Sequence, residues 1–432
     1  MCCMTVSRLR QRISASDSSP GGTAVLRRIN QAHVLSAVRS SEALRLGDVA
    51  KITGLSRPTV TNVLEELHDA GWVKFCDDHP EGRAGLGRPA RMIQFRAGAG
   101  YVVGIDIGAH RTAVVVADLD GTPAAKVTQS TSAANDRHRV LAAVRAAVQE
   151  ALLRSRVDRR AILSVTVGTP GIIDRAGRTV IEAPDLPGWT SLNLAHEIER
   201  WFHCAVRIEN DVNLAVLGER WQGAATDANT VIFIWWGERV GAGICIGGQV
   251  HRGATGAAGE IGYINILDPL GREVPFDDEC DGTLSRAISA GTIVAMAKDA
   301  ARRHAGPLRK LMRLEGPLDA ASVFAASAQG DVGARSVVAT VSARLARGLA
   351  PLMLLLDPDV VIIGGGISRA GAPLLDAVRK DVERLTVVPT PLRLSTLGED
   401  AVVVGAVRLA LSDVEHRVLP SLDPEPGLNP AI

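Results

Sequence analysis

The segment RIENDVNLAVLGE, Arg207 to Glu219, sets Glu209, Asn210 and Asp211 side by side ahead of an apolar, helix-like pattern. A carboxylate beside a reacting hydroxyl can bind it in the ground state and accept its proton during attack on an electrophile. Asp211 therefore fits the general base of an enzyme, and equally the pocket of a protein that has kept the shape of one. A third use is structural, because Asp and Asn cap helices and satisfy buried backbone groups. A second candidate is the glycine run of DVVIIGGGIS, 359–368. A strand-to-helix turn of this kind can cradle phosphate, but it needs glycine whether or not phosphate binds.

The elements that must position these residues form a chain of 432 residues, too long for one ordinary core, so two or three domains are expected. A hydrophobic share of 46% is ample for burial. No unbroken apolar run reaches the roughly 18 residues of a membrane span, and the opening MCCMTVSRLRQRISASDSSPGG lacks the apolar core of a secretory signal. A cytoplasmic protein without a membrane partner is expected. Cys2, Cys3, Cys76, Cys204, Cys245 and Cys280 show no C-x-x-C pair, so neither a disulfide frame nor a metal site is expected. The net charge of +1 is uneven: residues 1–96 hold 14 Lys and Arg against 9 Asp and Glu, the remainder 34 against 38. A basic front on a faintly acidic body points to a polyanion partner for the front, with a solvated charged face as the plainer reading.

Residues 1–22 read as a flexible tail and residues 23–96 as a DNA-binding unit. TAVLRRINQAHVLSAVRS repeats Val25, Leu26, Ile29, Val34, Leu35 and Val38 on one helical face. A short helix follows around Leu46 to Ile52, then a turn at Gly54 and a second helix capped by Ser56 with Pro58 in its first turn. Val60, Val63, Leu64 and Leu67 form the inward stripe; Arg57, Thr59, Thr61 and Asn62 lie outward near the start, the part of such a helix that meets base edges. WVKFCDDHPEGRAGLGRPARMIQF then gives two strand-like segments around a loop in which Arg83, Arg88 and Arg91 can reach phosphates or a narrow minor groove. A helical bundle that binds no DNA is the alternative. From Ala97 onward strands and helices alternate, which predicts α/β layers in two lobes over 97–412, before a Pro-rich tail at 413–432.

Several blocks in order resemble the ROK family, named for repressor, open reading frame and kinase. They are GIDIG with ADLDG, VGTPGIID, IENDVNLAVLGE, HRGATGAAGEIGY, DVVIIGGGIS and LGEDAVVVGAVRLAL, and the resemblance spans about Thr23 to Leu411. It implies an α/β fold: a winged helix-turn-helix followed by a two-lobed actin-like ATPase body of the sugar kinase-like, ribonuclease H-like type. It also implies that Asp211 stands at the kinase base position, and that Asn210 and Glu260 stand where sugar hydroxyls are bound. Carboxylates and amides suit that task because each sugar hydroxyl is both donor and acceptor.

The chain departs from the family's kinases at the phosphate loops. D-x-G-G-T reads DIGAHRT, keeping Asp106 and Gly108 but placing Ala109 and His110 where Gly and Thr are usual. G-T-G-x-G-x-G reads GERVGAG, keeping Gly237 and Gly241 with Glu238 in the Thr place. Like charges about 4 Å apart repel by roughly 1 kcal/mol in water and by several near a protein surface, so Glu238 opposes ATP phosphates, though Arg239 could offset part of this. The family's zinc motif is altered as well. Tyr263 takes the His place, Phe276, Asp278 and Thr283 the Cys places, and Ser285 that of the acidic residue that often follows. No zinc is expected, and no cofactor.

The expected function is that of a DNA-binding transcription regulator, a repressor, whose kinase-like body senses a sugar or sugar derivative through Asn210, Asp211, Glu260 and Tyr263 and forms a homodimer or tetramer on a double-stranded operator. No catalytic residue is then expected. The alternatives are an ATP-dependent sugar kinase, with or without DNA binding, and a regulator whose body serves dimerisation alone.

Overall fold

The computed structural model describes residues 22–77, 91–131, 137–183, 186, 188–265, 282–314, 318–387 and 389–418. Arg83, Arg88, Phe276, Asp278 and Cys280 lie outside them, as do most of both expected tails.

The first module is built from α1 (Gly22–Arg39), α2 (Leu46–Thr53) and α3 (Arg57–Asp69), with β1 (Leu44–Arg45), β2 (Val73–Asp77) and β3 (Arg91–Phe95) forming an antiparallel sheet in the order β1-β3-β2. Gly54 ends α2 at φ 69°, a left-handed turn that favours glycine. Ser56 then opens α3, its Oγ accepting from the Thr59 N–H at 3.3 Å. The expected stripe of Val60, Val63, Leu64 and Leu67 is buried.

The body has two lobes of like design, each with three antiparallel strands extended by two parallel ones. In the first lobe β4 (Tyr101–Ile107), β5 (Arg111–Asp118) and β6 (Pro123–Ser130) are antiparallel; β7 (Ile162–Thr169) and β10 (Val206–Asn210) extend the sheet beyond β4. A small ribbon, β8 (Ile172–Ile173) with β9 (Val180–Glu182), lies between them in sequence. In the second lobe β11 (Val231–Trp236), β12 (Val240–Ile246) and β13 (Gln249–Val250) repeat the meander, and β14 (Val360–Gly364) and β15 (Leu392–Leu394) extend it. The β4–β5 and β11–β12 turns, equivalent places in the two lobes, carry the DIGAHRT and GERVGAG loops.

Helices α4 (Arg137–Ser155) and α5 (Leu194–Glu199) belong to the first lobe, and α6 (Asp211–Gln222) leads from it into the second. There α7 (Thr283–Ile288), α8 (Ala290–Arg303), α9 (Pro307–Leu314), α10 (Ala320–Ala328), α11 (Val332–Leu356) and α12 (Ala372–Val382) precede the closing helix α13 (Ala401–Val418). By length and composition α11 could cross a bilayer. Its Val337, Val341, Leu345 and Leu349 are instead buried in the second lobe's core.

The closing helix runs to Val418, past the expected boundary at 412. Its last turns are held by packing and charge that a reading for apolar periodicity passes over: Val414 is buried, Asp413 pairs with Arg207 at 2.9 Å, and Glu415 pairs with Arg408 at 3.2 Å. The side chains of α13 divide between two cores. Ala401, Val402, Ala406 and Leu409 join Val212, Leu214 and Val216 of α6 together with Val231 and Phe233 of β11. Val403, Val407, Ala410, Leu411 and Val414 join Val34, Leu35, Val38 and Val73 of the first module. The winged module is thus packed onto the body through a shared apolar cluster.

Candidate functional site

A cleft of about 1090 Å³ opens between the lobes. Gly108, Ala109 and His110 line it from the first lobe, with Pro170, Gly171 and Glu182; Asn210 and Asp211 form its floor at the start of α6; Gly237, Glu238, Arg239 and Gly241, then Glu260 and Tyr263, line the second lobe. The structure therefore brings together the four residues expected to bind ligand, Asn210, Asp211, Glu260 and Tyr263, and the loops DIGAHRT and GERVGAG.

Asn210 is the N-cap of α6. Its Oδ1 accepts from the Asn213 N–H at 3.0 Å, and its Nδ2 donates to the Gly171 carbonyl at 3.0 Å. It is a structural cap as well as a cleft residue, because an amide at the helix start meets orphan N–H groups before it meets any ligand. One acceptor lone pair and one donor hydrogen of its amide remain for a hydroxyl. Asp211 is half-buried, and its Oδ1 accepts from the Val212 N–H at 2.9 Å. Glu260 is half-buried at the head of a short 3₁₀ turn, Ile261–Tyr263, and Tyr263 stands 51% exposed at the rim.

Glu209 was passed over as a site residue, yet it links two of the motifs. It is buried, accepts from Asn213 Nδ2 at 3.1 Å, and holds Arg252 at 2.7 Å. Arg252 begins the loop that ends at Glu260, so this ion pair ties the Glu260 loop to the strand that presents Asp211. Arg111 was also missed. Its guanidinium lies 4.0 Å from Asp106 and reaches Glu399 at 2.7 Å and Asp400 at 3.4 Å, while Lys126 meets Asp400 at 2.5 Å. Asp106 is buried beneath the first loop. Burial pushes its carboxyl up to about 7; Arg111 opposes this, while the charges of Asp211, Asp400 and Glu399 add to it.

The second loop is a tight turn in which the Gly237 N–H donates to the Arg239 carbonyl at 3.0 Å. A Cβ on Gly243 would meet the Val212 carbonyl at 2.4 Å, so the glycines of GERVGAG bring β12 against the first turn of α6 whether or not phosphate binds. Glu238 is exposed to the cleft, its Oε2 3.9 Å from where a Cβ on Gly291 would stand, at the first turn of α8. In DVVIIGGGIS, Gly365 at φ 83° lies so close to Trp236 that a Cβ would meet its carbonyl at 2.5 Å. Of the zinc-motif positions described, Tyr263 and buried Thr283 offer a phenol and an alcohol, and Ser285 Oγ accepts from the Val240 N–H at 3.0 Å. These groups do not fit a tetrahedral site of thiolates and imidazole.

On the winged module, Arg57 and Asn62 are exposed at the start of α3, with the Arg57 guanidinium lying over Gly47 of α2. Thr59 and Thr61 are half-buried and locally engaged. The Thr59 hydroxyl lies 2.8 Å from that of Ser56, and the Thr61 hydroxyl donates to the Arg57 carbonyl at 3.0 Å. Arg91 is exposed at the base of the wing with its guanidinium 4.4 Å from the centre of the Phe75 ring.

The sequence matches the ROK family over residues 102–413 and the MarR family over residues 26–84. It is 24% identical over 402 residues to the xylose repressor of Caldicellulosiruptor bescii, covering 91% of this chain and 98% of that one. It is 30% identical over 314 residues to the glucokinase of Thermotoga maritima, covering 71% and 96%. The crystal structure of a ROK family transcriptional regulator, a homologue of the E. coli MLC protein, superposes with a TM-score of 0.74 at 22% identity over 92% of this chain and 100% of that one. A ROK family glucokinase from Streptomyces griseus, solved with glucose and AMPPNP, gives 0.61 at 29% identity over 72% and 100%. This chain belongs to the ROK family, with a MarR-type winged helix in front of its sugar kinase-like body.

Proposed function

We propose that this protein is a DNA-binding transcription regulator, a repressor, whose kinase-like body binds a sugar or sugar derivative between its lobes without phosphorylating it. The observation that carries the reading is the winged module itself, with Arg57 and Asn62 exposed at the start of α3 and its core shared with α13. Relatives matched over nearly their whole length are named xylose repressors, which makes D-xylose the first sugar to try. In this reading Asp211 and Glu260 read hydroxyls, and Arg57, Asn62, Arg83, Arg88 and Arg91 meet DNA. Two copies present two recognition helices to a near-palindromic site in the cytoplasm. No zinc takes part.

Glu238 weighs against phosphoryl transfer. Its carboxylate stands at the cleft beside the first turn of α8, the kind of place a helix offers to an anion, so a nucleotide phosphate would meet a resident negative charge there. Asp211 favours the second reading, an ATP-dependent sugar kinase, because it keeps the carboxylate a kinase needs. One set of assays separates the two. Operator binding that Arg57→Ala abolishes, with no sugar-dependent ATP turnover, supports the regulator; turnover with D-glucose or D-xylose supports the kinase.

A further inference from the structure

Helix α13 packs on α6, whose first residue Asp211 lines the cleft, and on the winged module, and it is held at each end by charge. At its start, Glu399 and Asp400 hold Arg111, whose guanidinium neighbours Asp106 beneath the cleft. Just before that, the buried carboxylate of Glu219, in α6, takes donors from the 395–397 segment: the Ser395 hydroxyl at 2.5 Å, the Leu397 N–H at 3.1 Å and the Thr396 hydroxyl at 3.3 Å. At its far end, Glu415 pairs with Arg408 and with Arg39, the last residue of α1. Arg39 also donates to the Leu119 carbonyl at 2.6 Å and lies 3.7 Å from Asp120.

Between these ends α13 lies against α6 backbone to backbone. A Cβ on Gly405 would stand 1.8 Å from the Leu214 carbonyl oxygen, and one on Gly218 would stand 2.3 Å from that of Ala401. Helices this close cannot slide independently, because no flexible side chain lies between them to give way. A displacement of the α6 start, where Asp211 faces the cleft, must therefore carry α13 with it.

We propose that α6 and α13 form one rigid lever that transmits closure of the cleft to the winged module, and that Arg39 and Glu415 are the positioning residues through which it acts. The proposal rests on the regulator reading given above. A ligand can shift an equilibrium only through unequal interaction with two states. The lever supplies the second state: α13 also lies against β4, where a Cβ on Gly104 would stand 2.8 Å from the Val403 carbonyl oxygen, so when the lobes change angle α13 turns with that sheet, and the Arg39 guanidinium, shared among Glu415, Leu119 and Asp120, makes the winged module turn with them. Removing Glu415 takes away the charged tie between α13 and Arg39, leaving the apolar cluster in place, without touching the cleft or the recognition helix.

The test uses the full chain, an operator duplex selected from a random pool, and D-xylose and D-glucose as probes. Glu415→Gln and Arg39→Gln are expected to bind sugar as the unaltered protein does and to keep operator affinity within a few-fold, while losing most of the sugar-induced change in that affinity. A change of the original size in both variants overturns the lever. Hydrogen–deuterium exchange gives a second readout that needs neither sugar nor DNA. Arg111→Gln, at the cleft end, is expected to speed exchange across residues 22–39 several-fold, and to add nothing further when Glu415→Gln is already present. Unchanged exchange in α1 overturns the lever even if DNA binds. Absence of any selected operator with the exchange result intact counts against the regulator reading instead.

Discussion

Gly405→Ala puts the α6–α13 contact to a quantitative test. The added methyl would stand 1.8 Å from the Leu214 carbonyl oxygen and 2.6 Å from its carbon. A C–H···O contact settles at about 3.3–3.6 Å, so the helices must part by about 1.5 Å along the whole of a well-packed crossing. Overpacking of a core costs about 1–3 kcal/mol, and the upper end applies here because the obstructing atoms are backbone. Replacing a helical glycine by alanine returns up to about 1 kcal/mol through propensity, leaving a net loss of about 2 kcal/mol. Gly291→Ala serves as the control: it is also a helical glycine, its nearest neighbours are 3.9 Å away, and it is expected to be neutral or stabilising by up to about 1 kcal/mol. Urea unfolding followed by tryptophan fluorescence reads both as shifts in midpoint at constant slope. A Gly405→Ala protein with the original midpoint refutes the close crossing, and with it the rigid lever.

Asp106 makes stability depend on pH. In the folded chain its carboxyl keeps a proton up to about 7, while in the unfolded chain it releases it near 3.8, so between these values the folded state binds more protons and stability falls as pH rises. The span corresponds to roughly 4 kcal/mol, an upper bound, since each pKa step is about 1.4 kcal/mol. Asp106→Asn should therefore raise the melting temperature at pH 8 and gain little at pH 4; an equal shift at both would contradict the burial argument. Glu415 runs the opposite way. Burial pushes its carboxyl up, but Arg408 and Arg39 together hold it below its ordinary value of 4.5. Its contribution to docking of α1 is thus present above that value and lost as pH falls below it, which exchange rates in residues 22–39 at stepped pH would show. Incubation with a chelator is expected to leave the melting temperature unchanged, and a clear drop would contradict the reading that no zinc takes part.

Features set by local chemistry were legible in the sequence. The Gly54 turn, the Ser56 cap and the buried stripe of α3 follow from neighbours a few residues apart, and the strands around the cleft announce themselves as β-branched runs. The meeting of Asp211, Glu260 and the two loops was implied by the resemblance to the ROK family that those motifs carry. Contacts between distant residues carry no such pattern. Arg252 lies 43 positions from Glu209, and Arg39 lies 376 from Glu415, so neither pair could be read from spacing. Two expectations rested on outward position alone. Thr59 and Thr61 were expected to face outward and are half-buried, because short hydroxyl side chains at a helix start find Ser56 and the Arg57 carbonyl within reach.

Selection of bound duplex DNA by the full chain, with and without D-xylose or D-glucose, and repeated with Arg57→Ala, tests the central claim most directly. The account predicts an enriched near-palindrome that Arg57→Ala fails to retain and that one of the sugars releases. Enrichment that survives Arg57→Ala, or no enrichment in any condition alongside ATP turnover in the presence of sugar, would contradict it.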